Sequence, residues 1–215
     1  MPTAISKKQG AHLPHWTKPD GIYNVTFRLA DSVPQQKLEI WRWERESIVE
    51  HAKRQGRPLT RDEREVLRTL HTDNIEHFLR SGHGACWLRR SDIGSLVAST
   101  VKFFEGKRYR LYAWCIMPNH VHVIVQPFEG YSVSRILHSW KSFSAKEANK
   151  LVGRNGTFWS TEYYDHLIRN ADELRACITY VWENPEKACL PNWPWRWKVN
   201  ENDLPGNDYW EKQHQ

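Results

Sequence analysis

The chain has 215 residues, which suits one domain with a sizeable core, because typical domains contain ~100 to 200 residues. Lys and Arg outnumber Asp and Glu by 31 to 25, and the resulting net charge of +6 favours a polyanionic partner without demanding one. No apolar run approaches the ~18 residues needed to cross a bilayer and the N-terminus lacks the apolar stretch of a secretory signal, so we expect a cytoplasmic protein.

The cysteine and tryptophan content further narrows the class of protein and the kinds of site that it can contain. The four cysteines have no paired spacing, which is typical of reduced residues and not of a disulfide framework or a thiolate metal site. Twelve tryptophans are many for this length. Some must be core residues, but a basic protein rich in aromatic residues can also stack unpaired bases.

The first half of the chain is predicted to contain a strand and two helices. Alternating apolar residues predict a half-buried strand at Gly21–Leu29. A helix follows from Pro34 to about Gln55, and a second, ending near residue 80, begins at a capping box formed by Thr60 and Glu63. We interpret residues from about 44 to 80 as a helical insertion.

The sequence in the middle of the chain predicts a β-hairpin. A short strand at Ala85–Leu88 and a helix capped by Ser91 come first. Two strands follow, at Tyr109–Met117 and His120–Gln126, joined by the tight turn Pro118–Asn119. Strands joined so closely should be antiparallel neighbours.

The last third is predicted to contain two helices around a short extended piece. The helices are expected at Ser132–Leu151 and Asp172–Asn184, the second ended by Pro185, with the extended piece at Tyr163–Ile168. The tail, residues 191–215, is expected to be an irregular segment of aromatic packing.

This order of elements predicts the α+β class, with one central antiparallel sheet and helices on its faces. A ferredoxin-like or RRM-like arrangement is the nearest simple topology. We assign residues 1–215 to one domain, with a core from about 18 to 190.

The run WCIMPNHVHVIVQ carries two histidines within an apolar strand. Alternate side chains of a strand share a face, so Val121, Val123 and Val125 point one way while His120 and His122 point the other. The two imidazoles would then lie ~7 Å apart at the backbone, close enough to bind one divalent ion. The alternative is that one is hydrogen-bonded in the core and the other lies at the surface.

Two histidines do not complete a site for Mg²⁺ or Mn²⁺, and the last helix offers a third ligand. Tyr180 and Asn184 are four residues apart in TYVWENP, on one helical face. A metal bound by His120, His122 and Asn184 would lie beside the Tyr180 hydroxyl, a layout for attack of a phenolate on a phosphodiester. Alternatively, Tyr180 is a core aromatic residue and Asn184 a helix C-terminal residue.

These motifs, with the intervening YYDHLIRN, resemble the REP-associated tyrosine transposases, a branch of the IS200-like, single-tyrosine HUH transposases. The resemblance extends from Gly21 to about Leu190. It implies an HUH nuclease fold, metal ligation by His120 and His122, a nucleophile at Tyr180 and a polar third ligand at Asn184.

The resemblance also implies an activity. Such enzymes cut single-stranded DNA, often beside a hairpin, form a 5′-phosphotyrosine link and later reverse the reaction on another strand. They use Mg²⁺ or Mn²⁺ and no nucleotide cofactor, and they act as monomers or homodimers. The longer N-terminal half departs from the family pattern, which leaves the role of the insertion open.

Several residues have competing interpretations. Tyr163 and Tyr164 are rival nucleophiles, although neither has a polar residue one helical turn further on. The candidates for DNA binding, each of which could instead be structural or a solvated surface group, are Arg135, Lys141, His166 and Arg169.

Two other functions stay open at this point. One is a protein that has lost its chemistry and binds a DNA hairpin, or RNA through an RRM-like sheet. The other is a metal-dependent hydrolase that uses an activated water and does not require Tyr180.

Overall fold

A computed structural model describes residues 6–9 and 14–213 of the chain. Contacts separate these residues into two compact units, one formed by the described residues up to 30 together with those from 87 onward, and the other by residues 31–86. The assignment of residues 1–215 to a single domain stays a prediction. None of the described helices is both long and apolar enough to cross a membrane.

The unit of residues 31–86 contains helices α1 (Gln35–Arg54) and α2 (Arg61–Arg80). The predicted capping box of α2 is confirmed: the Glu63 N–H donates to the Thr60 hydroxyl over 3.1 Å, and the Thr60 N–H donates to the Glu63 carboxylate over 2.8 Å. The hydrogen bond from Arg57, with that from the Thr60 amide, lowers the pKa of Glu63 to about 2.

The other unit contains seven strands and four α-helices among its described residues. The strands are β1 (Ser6–Gln9), β2 (Pro14–Thr17), β3 (Tyr23–Leu29), β4 (Tyr109–Ile116), β5 (His120–Pro127), β6 (Trp159–Leu167) and β7 (Arg196–Lys198). The helices are α3 (Ser91–Lys102), α4 (Val133–Leu151), α5 (Ala171–Lys187) and α6 (Asn207–Gln213).

The central sheet has five strands in the order β6-β3-β5-β4-β7, and every neighbouring pair is antiparallel. Within it, β3-α3-β4-β5-α4-β6 forms a β-α-β-β-α-β unit with strand order 4-1-3-2, the ferredoxin-like arrangement. The predicted α+β class and antiparallel sheet are confirmed. Strands β1 and β2 form a separate two-stranded sheet.

The sheet has a hydrophobic core on each face. On one face, residues of β3, β4 and β5 pack with α3 and α4, and Val121, Val123 and Val125 belong to this core. On the other face, Ile124 packs in a second core with residues of α5, including Ile178. Because successive side chains of a strand point to opposite faces, the valines of β5 face α3 and α4 while its histidines face α5.

A buried tyrosine connects three elements of the first core. The Tyr109 hydroxyl donates to the Val101 carbonyl over 2.7 Å and accepts from the Trp140 indole N–H over 2.9 Å. Strand β4 is thereby tied to α3 and α4. These bonds satisfy polar groups that would otherwise be buried without partners.

Four local predictions were wrong. The stretch Ala85–Leu88 is not a strand; Trp87–Arg89 forms a 3₁₀ helix, and the Leu88 N–H donates to the Pro118 carbonyl instead of a strand ladder. Ser91 is the first helical residue, and Arg90 precedes it without a side-chain cap.

The other two corrections concern the C-terminal part. Helix α5 continues through Pro185, whose fixed φ is helical, and closes its last turn by a bond from the Ala188 N–H to the Asn184 carbonyl. The tail is not irregular throughout: β7 pairs with β4, and α6 contributes Trp210 to the second core.

Candidate active site

The two histidines of β5 lie together on the α5 face of the sheet. His120 is 1% exposed and His122 is 2% exposed, so neither lies at the surface. Their Nε2 atoms are 3.0 Å apart, and their ring planes are nearly perpendicular at 88°. The predicted shared face is confirmed.

The Nδ1 atom of each histidine has its own polar partner. His120 Nδ1 is 2.7 Å from Asn119 Oδ1, and His122 Nδ1 is 2.8 Å from Thr26 Oγ1. Because a carbonyl oxygen only accepts, this contact favours the His120 tautomer that has its proton on Nδ1 and its Nε2 lone pair toward His122. The Thr26 hydroxyl both donates and accepts, so it suits either tautomer of His122. Partners of this kind orient histidines that ligate metals.

The spacing of the Nε2 atoms fits a divalent ion. In octahedral coordination with bonds of about 2.1 Å, two adjacent ligand atoms lie about 3.0 Å apart. Among the described residues, no group of three His, Cys, Asp or Glu side chains is placed to hold a metal. A third protein ligand would therefore be of another type, and the Asn184 amide is the candidate.

Helix α5 places Tyr180 against the histidine pair. The Tyr180 ring lies 5.7 Å from the His122 ring, centre to centre and edge to face. The Lys187 ammonium lies 5.2 Å from the centre of the Tyr180 ring and 3.0 Å from the Glu183 carboxylate. A phenol ring thus lies against one of the two imidazoles, and an ion-paired cation lies near the phenol ring.

Asn184 follows one turn after Tyr180 and is 1% exposed. Its Nδ2 donates to the Tyr180 carbonyl over 3.1 Å, a bond within the helix that fixes the side chain. An amide oriented through its nitrogen has its oxygen as the metal-binding atom. Ligation of a metal by Asn184 stays a prediction.

Strand register separates the two rival tyrosines. Tyr163 is opposite Phe27 and packs on the valine side, where burial raises its pKa and so disfavours a phenolate. Tyr164 is opposite Thr26, which in turn is opposite His122, so Tyr164 shares the histidine face. Of the two, only Tyr164 lies on the face where Tyr180 lies.

Two of the predicted DNA-binding residues precede α5: His166 lies in β6, and Arg169 lies between β6 and α5. His166 Nε2 is 2.7 Å from one Glu173 carboxylate oxygen, and the Arg169 N–H donates to the other over 2.7 Å. Burial raises the pKa of Glu173, but these hydrogen bonds outweigh burial and hold the pKa below its usual value. The segment therefore orders the N-terminus of α5, and its contact with DNA stays a prediction.

The other two predicted DNA-binding residues lie on α4. Lys141 Nζ donates to the Thr161 carbonyl over 3.0 Å, and burial lowers the pKa of Lys141. Arg135 is exposed on the first turn of the same helix. Because α4 covers the valine side of the sheet, the structure does not bring these two residues to the histidine pair.

Sequence analysis missed three polar residues beside the histidines. Thr26 and Asn119 hold the two rings, and Arg28, only 7% exposed, is the cross-strand partner of His120. Burial lowers the pKa of Arg28 to about 10, while Glu162 acts in the opposite direction. The alternation in GIYNVTFRL was a usable signal, because it places Thr26 and Arg28 on one face.

Comparisons with known proteins agree with these motifs. Residues 89–184 match the family model described as Transposase IS200 like. A REP-associated tyrosine transposase of Escherichia coli (strain K12) is 24% identical over 98 residues, which cover 44% of this chain and 57% of that protein. A Haemophilus influenzae protein of the same group is 26% identical over 106 residues, covering 42% of this chain and 60% of that protein.

A similar solved structure is that of a REP-associated tyrosine transposase bound to a REP hairpin. It is 17% identical, with a TM-score of 0.45, and the superposition covers 89% of this chain and 81% of that one. The chain spans less than two thirds of the length of the two curated relatives.

Proposed function

We propose that the chain cleaves and rejoins single-stranded DNA through a covalent link to Tyr180, because residues 89–184 match the family model described as Transposase IS200 like. The observation that carries the proposal is the edge-to-face contact of Tyr180 with His122, whose Nε2 lies 3.0 Å from that of His120. A tyrosine and a histidine pair from distant parts of the sequence lie in contact.

In the proposed reaction, the Tyr180 oxygen attacks the phosphorus of a phosphodiester. The bond from phosphorus to the tyrosine oxygen forms as the bond to the 3′ oxygen breaks. The phenol loses its proton and the leaving 3′ oxygen gains one. The 5′-phosphotyrosine keeps the energy of the broken bond, so the free 3′-OH of another strand can reverse the step without a nucleotide cofactor.

His120 and His122 are the residues that would hold a divalent ion, Mg²⁺ or Mn²⁺, with Asn184 as the third ligand. When bound, such an ion withdraws charge from a nonbridging phosphate oxygen. The Lys187 ammonium, 5.2 Å from the Tyr180 ring centre, favours the developing phenolate through its charge.

The proposed substrate is single-stranded DNA that contains a REP-like hairpin. The net charge of +6 and the exposed Arg135 and Arg169 favour a polyanion. A monomer or homodimer in the cytoplasm is the proposed form of the protein.

The test is formation of a covalent protein–DNA adduct. The protein is incubated with a 5′-labelled and, separately, a 3′-labelled hairpin-flanked strand in Mg²⁺ or Mn²⁺, and the products are separated under denaturing conditions. The variants are Tyr180→Phe and, as a matched control on the same face of the sheet, Tyr164→Phe.

We expect the wild-type protein and Tyr164→Phe to form the adduct, and Tyr180→Phe to lose both adduct and cleavage. If the Tyr180→Phe variant still cleaves the DNA, the proposal is wrong, and a hydrolase that uses an activated water is favoured. Hairpin binding without cleavage under any condition would favour a binding protein that has lost its chemistry.

A further inference from the structure

A small cavity lies on the α4 face of the sheet, opposite the face that carries the histidine pair. It has a volume of about 190 Å³. Four of its lining residues define what we term the arginine notch: Phe104, Arg108, Tyr131 and Arg135. Its volume is below the ~300 Å³ at which pockets for drug-sized ligands begin, so a single small group fits better than a whole cofactor.

Two positively charged residues, Arg108 and Arg135, line the arginine notch. The Arg108 guanidinium lies 3.3 Å from the centre of the Phe104 ring and 5.8 Å from that of Tyr131. Within the described part of the chain, no salt bridge joins Arg108 or Arg135 to a carboxylate. Two arginines lining one cavity favour an anion, because a guanidinium group can donate two parallel hydrogen bonds to phosphate oxygens.

The rim of the notch carries exposed aromatic surface. Tyr131 is 42% exposed, and Phe103, which contacts Phe104 edge to face at 4.7 Å, is 72% exposed. Aromatic side chains that remain exposed beside arginines are typical platforms for unpaired bases, because every base has a π face. Paired bases of a duplex would not offer that face.

We propose that the arginine notch binds one unpaired nucleotide of a DNA strand, with its base on Tyr131 and its phosphate between Arg108 and Arg135. The inference rests on the proposed function, since it assumes a DNA substrate. Strand alternation places the histidine pair on the other face of the sheet, so the nucleotide in the notch is distinct from the one whose phosphate Tyr180 attacks. The notch would hold the single-stranded flank and not the scissile bond.

The test compares affinities for two labelled DNAs by fluorescence anisotropy: a hairpin with a single-stranded flank and the same hairpin with a blunt end. The variants are Tyr131→Ala and Arg108→Ala. The matched controls are Phe143→Ala, an exposed aromatic residue elsewhere on α4, and Arg42→Ala, an exposed arginine of α1. Circular dichroism checks that each variant is folded.

For Tyr131→Ala, we expect affinity for the flanked hairpin to fall about 5- to 100-fold, with little change for the blunt hairpin. For Arg108→Ala, we plot the logarithm of the association constant for the flanked DNA against the logarithm of the salt concentration. The slope should become shallower by about 0.7, as expected for the loss of one phosphate contact. The two control variants should bind as the wild-type protein does.

Unchanged affinity in both notch variants overturns the inference, and so does an equal loss for flanked and blunt hairpins, which would indicate a duplex contact. Adduct formation by the wild-type protein is measured alongside. If the adduct forms and the notch variants bind normally, only the notch is wrong. If the wild-type protein binds neither DNA, the notch and the proposed function are both wrong.

Discussion

At the scale of single residues, the site depends on groups that hold the histidines and do not themselves react. The Thr26 hydroxyl, 2.8 Å from His122 Nδ1, is such a group. It orients the ring whose Nε2 faces His120. Loss of an outer partner of this kind typically weakens metal binding about 10- to 100-fold.

The first prediction therefore concerns Thr26→Val, which removes the hydroxyl while keeping the volume of the side chain. We expect the dissociation constant for Mn²⁺ to rise about 10- to 100-fold, as measured by titration with electron paramagnetic resonance detection. Thr161→Val, on the edge strand β6, is the control and should not change it. An unchanged dissociation constant in Thr26→Val would mean that orientation of the His122 ring by Thr26 does not contribute to metal binding.

At the scale of elements, the sheet and its two helical layers position the site. Tyr109 connects β4 to α3 and α4 by hydrogen bonds to Val101 and Trp140. The strand that follows this junction in the chain, β5, carries the histidines. Stability of the first core is therefore linked to the geometry of the site.

The second prediction is that Tyr109→Phe lowers the free energy of unfolding of the sheet by about 1 to 3 kcal/mol, because it leaves the Trp140 N–H buried without a partner. Hydrogen exchange of β4 and β5 amides in increasing urea measures the change. Tyr131→Phe removes an exposed hydroxyl and should change this free energy by less than about 0.5 kcal/mol. A similar small effect in Tyr109→Phe would show that these bonds contribute little.

The third prediction concerns the start of α5 and its response to pH. Glu173 has a folded pKa below its ordinary value of 4.5, so its stabilising effect is present above that value and is lost as the pH falls through the folded pKa. The protection factors of amides in the first turn of α5, which are corrected for the intrinsic pH dependence of amide exchange, should therefore fall at acidic pH. Glu173→Gln should have lower protection factors already at neutral pH and should lose this part of the pH response. A wild-type-like profile in that variant would contradict the prediction.

At the scale of the whole molecule, the proposed chemistry and two of the four proposed DNA contacts lie on opposite faces of the sheet. The proposed chemistry lies on the α5 face, while Arg135 and Lys141 lie on α4 at the other face. Most of the affinity for DNA should come from phosphate contacts, which do not need the metal.

The fourth prediction follows from this separation. Removal of divalent ions with EDTA, or the variant His120→Ala, should abolish cleavage and leave the dissociation constant for the hairpin DNA within about threefold, a change below 1 kcal/mol. Gel cleavage assays and anisotropy measure the two quantities. Equal loss of binding in His120→Ala would indicate that the pair is structural.

Features that depend on local period were predictable from the sequence. The two-residue period of β5 placed His120 and His122 on one face, and the closeness of β4 and β5 made them antiparallel neighbours. The capping box at Thr60 is likewise a local pattern.

Features that depend on distant contacts were not predictable. Thr26 reaches His122 only because of the register between β3 and β5, which are about 96 residues apart in the chain. Strand β7 has three residues and no pattern of its own, and it exists because it pairs with Ala113–Cys115. Pro185 favoured a helix end, but the bonds of Ala188 extend the helix past it.

The proposed function requires that Tyr180 forms the covalent bond to the 5′ phosphate of the DNA. The most direct measurement is mass spectrometry of the adduct after digestion with nuclease and trypsin, which locates the residue that retains the nucleotide. We expect one modified peptide, with the phosphate on Tyr180 of α5. A nucleotide on Tyr164 of β6, or on any other residue, would contradict it.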